Sequence, residues 1–268
     1  MDNNIKLGFI GCGKMASAII SGIIKSGLLK SSNIKASEYD IEFAKQKSNQ
    51  LGIDVFVDNK KLVKESDVIF LATKPNQVEG VLNEICEDLT DKKLVVSIAA
   101  GVKLKKIENI IKNIPVIRVM PNAPLMVGMG MSAVVKGAFA NDKHIEIVKQ
   151  ILENLGRCII TSEDKIDIVT AISGSGPAFF YKMIHEMALA GEKLGMSYED
   201  ALLLAEQTGM GSAKLMIESN LTPVELIGNI STKGGCTEVG VNVMNQYNSE
   251  KIFDEVIQKT TDKAKSLG

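Results

Sequence analysis

A glycine-rich turn near the start of the chain limits the possible folds more than any other feature. Gly11–Ala16 has the sequence G-C-G-K-M-A and follows the apolar run Ile5–Ile10 directly. After a strand and before a helix, the pattern G-x-G-x-x-A lets a pyrophosphate approach the backbone at the helix N-terminus. A tight structural turn can have the same residues, so the surrounding pattern has to decide.

The chain up to Thr161 alternates short apolar runs with helical patterns, which indicates a parallel, doubly wound sheet covered on both faces. We therefore predict an α/β domain over residues 1–161 that binds a dinucleotide. The predicted strands are Ile5–Ile10, Ile34–Ser37, Val55–Val57, Val68–Leu71, Leu94–Ala99, Val116–Met120, Met131–Val135 and Arg157–Ile160. The predicted helices are Lys14–Leu28, Ile41–Leu51, Val78–Cys86, Leu104–Ile111 and Asp142–Leu155.

After Thr161 the strand signals stop, and residues 162–268 are predicted to form an all-helical domain. Apolar residues recur at helical spacing over Phe180–Leu194 and Leu202–Met216, and capping boxes begin at Ser197 and Thr222. These helices are apolar on more than one face. Two interpretations remain open: a compact bundle core, or helices shared between two chains because about 100 residues cannot cover so much apolar surface.

Glu38 follows the second predicted strand, where an acid bonds the ribose 2′-OH of NAD and an Arg accommodates the 2′-phosphate of NADP. Its position favours NADH over NADPH, although Glu38 and Asp40 are also compatible with solvated loop acids. Two further turns, Leu71–Pro75 and Ser97–Gly101, lie at the carboxyl ends of predicted strands. Ligands bind at these ends in doubly wound sheets. Lys74 is either a cofactor contact or a surface lysine.

Composition and charge exclude several classes of protein. The chain has 31 basic and 32 acidic residues, so no electrostatic signal for nucleic acid or an anionic membrane is present. Neither a secretory signal nor an apolar run of membrane-spanning length is found, and the four cysteines show no metal-binding spacing. With two histidines, a His-based triad is disfavoured. We expect a reduced, cytoplasmic protein without a metal site.

A second glycine-containing segment, Asn229–Thr237, joins two helical patterns. Gly234 and Gly235 free the backbone for close approach, and the amides from Gly235 to Thr237 would point outward at a helix N-terminus. Such amides can bind a carboxylate. Taken alone, the segment is better interpreted as a structural helix–turn–helix.

The order of these segments along the chain resembles that of the pyrroline-5-carboxylate reductases, and the resemblance covers essentially the whole sequence. The glycine-rich turn is generic, whereas the Ser-Gly-Ser-Gly-Pro run and the Gly-Gly-x-Thr segment are specific. The segments that carry the resemblance are Gly8–Ala16, Ala72–Pro75, Ile98–Gly101, Ser173–Pro177 and Asn229–Thr237.

The resemblance implies an N-terminal Rossmann domain, a C-terminal helical dimerisation domain, and reduction of L-1-pyrroline-5-carboxylate to L-proline with NADPH or NADH. It implies that the Thr237 hydroxyl bonds the ring nitrogen as the catalytic group, and that the substrate contacts are Asn229, Glu163, Gly235, Cys236 and Thr237. It implies a cofactor cradle of Ile10, Gly11, Cys12, Gly13, Lys14, Met15, Asn59, Ala72, Thr73, Lys74, Pro75, Ile98, Ala99 and Ala100. Members that use NADPH commonly have a small hydroxyl or a basic group at the position of Glu38, so the resemblance leaves the choice between NADPH and NADH open.

Two alternatives to this function remain. A β-hydroxyacid dehydrogenase shares the two-domain plan, but that family places a catalytic Lys four residues after a G-x-G. Here Lys182 follows Gly176 by six residues, and Glu186 stands where an Asn is expected. A non-catalytic dinucleotide sensor would keep Gly11 and Gly13 without needing the Asn229–Thr237 segment.

Overall fold

The computed structural model describes residues 4–267, so the first three residues of the polar start and Gly268 lie outside the described part. Residues up to Ser175, together with the segment from Thr260 onward, form one compact unit, hereafter the sheet unit. Gly176–Lys259 forms the other, hereafter the helical unit. The boundary between the two predicted domains lies after Thr161, at the end of the last strand. The structure places it later because Ile166 and Ala171 are buried in the sheet unit.

The sheet unit contains one eight-stranded sheet with the order β3-β2-β1-β4-β5-β6-β7-β8. Its strands are β1 Leu7–Ile10, β2 Ile34–Ser37, β3 Asp54–Phe56, β4 Val68–Leu71, β5 Leu94–Ser97, β6 Val116–Met120, β7 Gly130–Lys136 and β8 Gly156–Thr161. Strands β1 to β6 are parallel, with the crossover between β1 and β4 that defines a doubly wound sheet.

The prediction of a parallel sheet is wrong for β7, which pairs antiparallel with β6 and is followed by the parallel strand β8. The reason is the length of the connection from Met120 to Gly130, which contains the short 3-10 turn Ala123–Val127. A parallel crossover needs roughly a dozen residues or more, usually with a helix. The chain therefore reverses at this point.

Helices cover both faces of the sheet. One core packs α1 and α6 against it through Ile19, Ile20 and Val148, and the other packs α3, α4 and α5 through Leu62 and Leu82. The helices of this unit are α1 Lys14–Lys25, α2 Ile41–Leu51, α3 Asn59–Lys64, α4 Val78–Ile85, α5 Leu104–Ile110, α6 Asp142–Glu153 and α7 Ile166–Val169.

Most predicted elements agree with the structure, and the differences have local causes. Helix α1 ends at Lys25 rather than Leu28 because Gly27 adopts a φ of +72°. Helix α3 was not predicted, since its six mostly polar residues are too few to show a helical period. The Asp58 side chain accepts a hydrogen bond from the Lys61 amide and caps this short helix.

The helical unit contains long helices with little buried surface. Its main packing joins α8 to α9 through small residues, with Ala188 and Ala201 buried and Gly191 close to Ala201. The predicted capping box is present at Thr222. At Ser197 only the N-cap half of the predicted box is found, in which Ser197 Oγ accepts a hydrogen bond from the Asp200 amide and donates one to Asp200 Oδ2. The later helices are α8 Gly176–Lys193, α9 Tyr198–Glu218, α10 Pro223–Ile230, α11 Cys236–Gln246 and α12 Ser249–Lys265.

None of the helices in residues 4–267 combines the length and the apolar composition that a bilayer crossing needs.

Candidate functional site

A cavity of about 600 Å³ opens at the carboxyl ends of β1, β2 and β4, beside the crossover in strand order. Ligands of doubly wound sheets bind at this position. The residues of the predicted cofactor set that line it are Ile10, Gly11, Gly13, Glu38, Asn59, Ala72, Thr73 and Lys74. The glycine-rich turn and the turn after β4 are therefore brought together as predicted.

The other predicted cofactor residues lie beside this cavity or behind it. Cys12 is fully buried beneath the turn, and Lys14 and Met15 begin α1. Pro75 begins a 3-10 turn after β4. The segment Ile98–Ala100 follows β5 directly, with Ala99 buried and Ala100 exposed, at the carboxyl end of the neighbouring strand.

The two central glycines of the turn serve different purposes. Gly11 has a φ of +90°, and a Cβ there would lie 2.8 Å from the carbonyl oxygen of Ala72. The fold itself therefore requires a glycine at this position. A Cβ at Gly13 would meet no atom within 4 Å, and Gly13 caps α1 without a side-chain hydrogen bond. The amides at the start of α1 and the space before them are left for a ligand.

Unpartnered polar atoms point to the same residues. Among the described residues, two buried side-chain oxygens have no hydrogen-bond partner: Thr73 Oγ1 and Glu163 Oε2. Buried polar atoms are normally paired, so each needs a ligand, a water or a special explanation. Both belong to residues predicted to contact a ligand. For Thr73, which lines the cavity beside the glycine-rich turn, a bound dinucleotide fits as the missing partner.

The carboxylate of Glu38 lies across the glycine-rich turn. Its Oε2 accepts a hydrogen bond from the Cys12 amide at 3.0 Å, and its Oε1 accepts one from the Tyr39 amide at 3.1 Å. The negative charge is thereby held at the cavity wall. Asp40, by contrast, accepts a hydrogen bond from the Phe43 amide and caps α2. The alternative in which both acids are solvated loop residues therefore fits neither of them, because each accepts hydrogen bonds from backbone amides.

Asn59 is oriented by two partners that sequence analysis missed. Its Oδ1 accepts a hydrogen bond from Ser37 Oγ at 2.7 Å, and its Nδ2 donates to Glu84 Oε2 at 2.8 Å. Ser37 could have been noticed because it immediately precedes Glu38 at the end of β2. Glu84 gives no comparable signal, because it lies 25 residues from Asn59 on a different helix.

Glu163 lies in the sheet unit, after β8. Its Oε1 accepts hydrogen bonds from Arg118 Nη1 at 2.6 Å and from the Leu104 amide at 3.0 Å. Arg118 is almost completely buried, so the ion pair is partly removed from water. Neither Arg118 nor Leu104 was singled out from the sequence.

The predicted substrate segment lies in the helical unit, where it connects α10 to α11. Asn229 is exposed near the end of α10, and Thr237 is exposed in the first turn of α11. Gly234 has a φ of +78°. A Cβ on Gly235 would lie 2.7 Å from Thr232 Oγ1, so the turn requires a glycine there.

The start of α11 resembles the start of α1 in one respect. Gly235 is its N-cap and provides no side-chain hydrogen bond. The amides of Cys236 and Thr237 therefore have no side-chain cap, which is the arrangement that binds a carboxylate. Nearby, Glu238 Oε2 accepts a hydrogen bond from the Gly234 amide at 2.7 Å and holds the turn.

Other reactive side chains have structural partners. His144 completes a capping box with Asn141 at the start of α6, and burial lowers the pKa of its imidazole. His185 Nδ1 lies 2.9 Å from the hydroxyl of Tyr198. Burial raises the pKa of the Cys12 thiol, which keeps it protonated. Within residues 4–267, no group of three His, Cys, Asp or Glu residues could hold a metal.

Comparison with known families divides the chain much as the sequence patterns do. A family model described as "Pyrroline-5-carboxylate reductase dimerisation" matches residues 163–267. A second one, described as "NADP oxidoreductase coenzyme F420-dependent", matches residues 6–101.

Individual proteins match over the full length. The pyrroline-5-carboxylate reductase of Methanosarcina acetivorans is 36% identical, with 99% of this chain and 98% of that protein covered. A solved pyrroline-5-carboxylate reductase from Coxiella burnetii is 30% identical, with a TM-score of 0.95 and 99% of each chain covered. The structure of Plasmodium falciparum pyrroline carboxylate reductase with NADP bound is 31% identical, with a TM-score of 0.88 and the same coverage.

Proposed function

This chain belongs to the pyrroline-5-carboxylate reductase family, and from that membership we propose how its residues divide the work of the reaction. The reaction is the reduction of the C=N bond of L-1-pyrroline-5-carboxylate to L-proline, the last step of proline biosynthesis. A protonated cyclic imine accepts hydride readily, so the protein mainly has to bind and orient its two ligands. This explains how a reductase works without a catalytic histidine.

The sheet unit is proposed to bind NADPH, with NADH as an alternative because of Glu38. The cofactor supplies the hydride when bound. The residues around Gly11–Met15 receive the pyrophosphate at the uncapped start of α1, and Thr73 Oγ1 gains the partner that it lacks. Asn59 and Glu38 face the adenosine ribose, while the Ile98–Ala100 segment lies against the nicotinamide. The observation that carries this assignment is the open space at Gly13.

The helical unit is proposed to bind the substrate. The amides of Cys236 and Thr237 hold its carboxylate with help from Asn229, and the Thr237 hydroxyl bonds the ring nitrogen. The Gly235 amide, which the sequence placed in the same set, instead donates a hydrogen bond to the Thr232 carbonyl at 2.9 Å. The Thr237 side chain is exposed at the start of α11, where it is free to contact a ligand. A hydroxyl can accept from a protonated nitrogen or donate to a neutral one, so it serves substrate and product alike.

The protein is further proposed to work as a homodimer or a higher oligomer of dimers. The dimerisation model that matches residues 163–267 supports self-association. A cytoplasmic location is proposed because all four cysteines are unpaired thiols, as expected in a reducing compartment.

The decisive experiment is an assay of the purified chain with pyrroline-5-carboxylate and either NADPH or NADH. We expect substrate-dependent oxidation of the nicotinamide and release of an equal amount of proline, measured by absorbance and by chromatography. A 3-hydroxyacid with the oxidised cofactor serves as the control for a dehydrogenase. Turnover of that control without any turnover of pyrroline-5-carboxylate would contradict the proposal.

A further inference from the structure

Glu163 connects three separate parts of the sheet unit. The strand register aligns Thr161 of β8, Val135 of β7, Arg118 of β6 and Ser97 of β5 in one row across the sheet. Two residues after Thr161, Glu163 Oε1 accepts hydrogen bonds from Arg118 at 2.6 Å and from the amide of Leu104 at 3.0 Å. Leu104 is the first residue of α5. The carboxylate therefore ties the start of α5 to the middle of the sheet.

The segment between Ser97 and Leu104 contains the residues proposed to lie against the nicotinamide. Its beginning is held by the hydrogen bond from the Ile98 amide to the Leu71 carbonyl at 3.1 Å. Within it, the bonds from Ala99 to Ser97 Oγ and from Val102 to Ala99 are both long, at 3.4 Å. Its far end is held by the bond from Leu104 to Glu163. One end of the segment is thus held by a backbone bond to the sheet. The far end is held by the Glu163 side chain together with the buried side chains of Val102 and Leu104.

We propose that Glu163 is a positioning residue for the Ile98–Lys103 segment, and that Arg118 fixes its carboxylate for this purpose. This inference rests on the function proposed above, because it assigns the segment to the nicotinamide. It differs from the role implied by the family resemblance, in which Glu163 contacts the substrate. The observation behind it is that one oxygen, Oε1, accepts from both donors.

The charges suit this role. A carboxylate accepts a hydrogen bond from a backbone amide more strongly than a neutral group does. Arg118 has a side chain only 6% exposed, so its guanidinium can turn to few other acceptors. The pairing with Arg118 therefore orients the carboxylate toward Leu104.

The bond can be removed without changing Glu163. Leu104→Pro deletes the amide hydrogen, and proline suits this position because it is the first of a helix and Lys103 before it has a ψ of 148°. Leu104→Ala is the matched control, since it loses the same buried side chain and keeps the amide. Both variants are measured by hydrogen exchange of peptides covering Ile98–Lys103 without cofactor, and by steady-state kinetics.

We expect faster exchange in this segment for Leu104→Pro than for Leu104→Ala, and a kcat lower by about tenfold, as for loss of one oriented hydrogen bond. The KM for pyrroline-5-carboxylate should be the same in both variants. Equal exchange rates and equal kcat values in the two variants would overturn the proposal.

Glu163→Gln and Glu163→Ala provide the second comparison. Gln keeps an acceptor for the Leu104 amide, so it should restore slow exchange and most of kcat relative to Ala. Because Ala leaves the buried Arg118 without its partner, folding of each variant is checked by circular dichroism. A KM for substrate raised tenfold or more in Glu163→Gln, with unchanged exchange, would instead identify a substrate contact and contradict the positioning role. Failure of the wild-type protein to reduce pyrroline-5-carboxylate would contradict the proposed function. The exchange comparison would still test whether Glu163 positions the Ile98–Lys103 segment.

Discussion

The sheet unit and the helical unit bury their apolar side chains to very different extents. In the sheet unit, large residues such as Phe9, Ile19 and Phe70 are fully buried, and Phe9 stacks on Phe70 with ring centroids 4.5 Å apart. In the helical unit, the side chains of Phe180 and Leu203 are 61% and 63% exposed. The first unit completes its core within one chain, whereas the second needs another surface, as its dimerisation family indicates.

This comparison selects between the two interpretations of the helical sequence pattern. A compact bundle core would bury Phe180, Met187 and Met216, and the described chain leaves all three exposed. The exposed residues of these stripes are therefore available to another chain, as the dimerisation family indicates, whereas Ala205 of the second stripe is buried. The sequence could not decide this, because helical periodicity gives the direction of an apolar face but not the chain that covers it.

The largest effect is expected from a charge placed in the helical unit. Met187→Glu should dissociate or unfold the protein and abolish activity, because obligate interfaces bury roughly 2,000 Å² or more of core-like surface. Light scattering and the reductase assay measure the two consequences. Lys193→Glu, at an exposed polar position of the same helix, is the control and should leave the oligomer intact. A fully active, monodisperse monomer of the wild-type chain would rule out the model.

A smaller effect, confined to chemistry, is expected at the substrate segment. Thr237→Ala should lower kcat by about tenfold to a hundredfold, the value of one hydrogen bond to a charged group of roughly 1–3 kcal/mol. Cofactor affinity should change little, because Thr237 belongs to the helical unit. Thr237→Ser keeps the hydroxyl and should recover most of the rate. Wild-type kinetics in Thr237→Ala would show that the hydroxyl has another role.

The sheet unit offers the converse test, in which binding changes without a change in assembly. Gly13→Ala should fold normally, because the added Cβ meets no protein atom within 4 Å. It should weaken cofactor binding by about tenfold or more, since the methyl group enters the space meant for the pyrophosphate. Titration of NADH fluorescence measures the affinity. Gly80→Ala, which is also free of contacts, is the control, and equal affinities in the two variants would contradict the site.

The smallest effect is expected in cofactor preference. Glu38→Ser should raise the NADPH/NADH ratio of kcat/KM severalfold. The substitution removes a carboxylate that would repel the 2′-phosphate of NADPH and would bond the ribose diol of NADH. Asp40→Ser is the control, as Ser keeps the helix cap and removes a nearby charge. A wild type that strongly prefers NADPH, with the ratio unchanged in Glu38→Ser, would show that this acid does not set the preference.

Sequence patterns predict the turns, strands and helix caps that depend on residues close together along the chain. The glycine-rich turn, the strand Val68–Leu71 and the capping box at Thr222 are all local and agree with the structure. The antiparallel direction of β7 was missed although the connection between the predicted strands Val116–Met120 and Met131–Val135 is too short for a parallel crossover. The links from Glu38 to Cys12 and from Glu163 to Arg118 could not be predicted, since they join residues 26 and 45 positions apart.

The two helices that begin at a glycine N-cap, α1 and α11, illustrate a conflict between helix stability and ligand binding. Elsewhere Asp40, Ser197 and Thr222 cap their helices with side chains, but Gly13 and Gly235 do not. A Ser in place of Gly13, where an added Cβ meets no protein atom within 4 Å, could provide a cap worth a few tenths of a kcal/mol more than Gly. Its hydroxyl would then occupy the amides that the cofactor needs. Selection for thermal stability alone would therefore favour this replacement, and selection for growth without external proline would remove it.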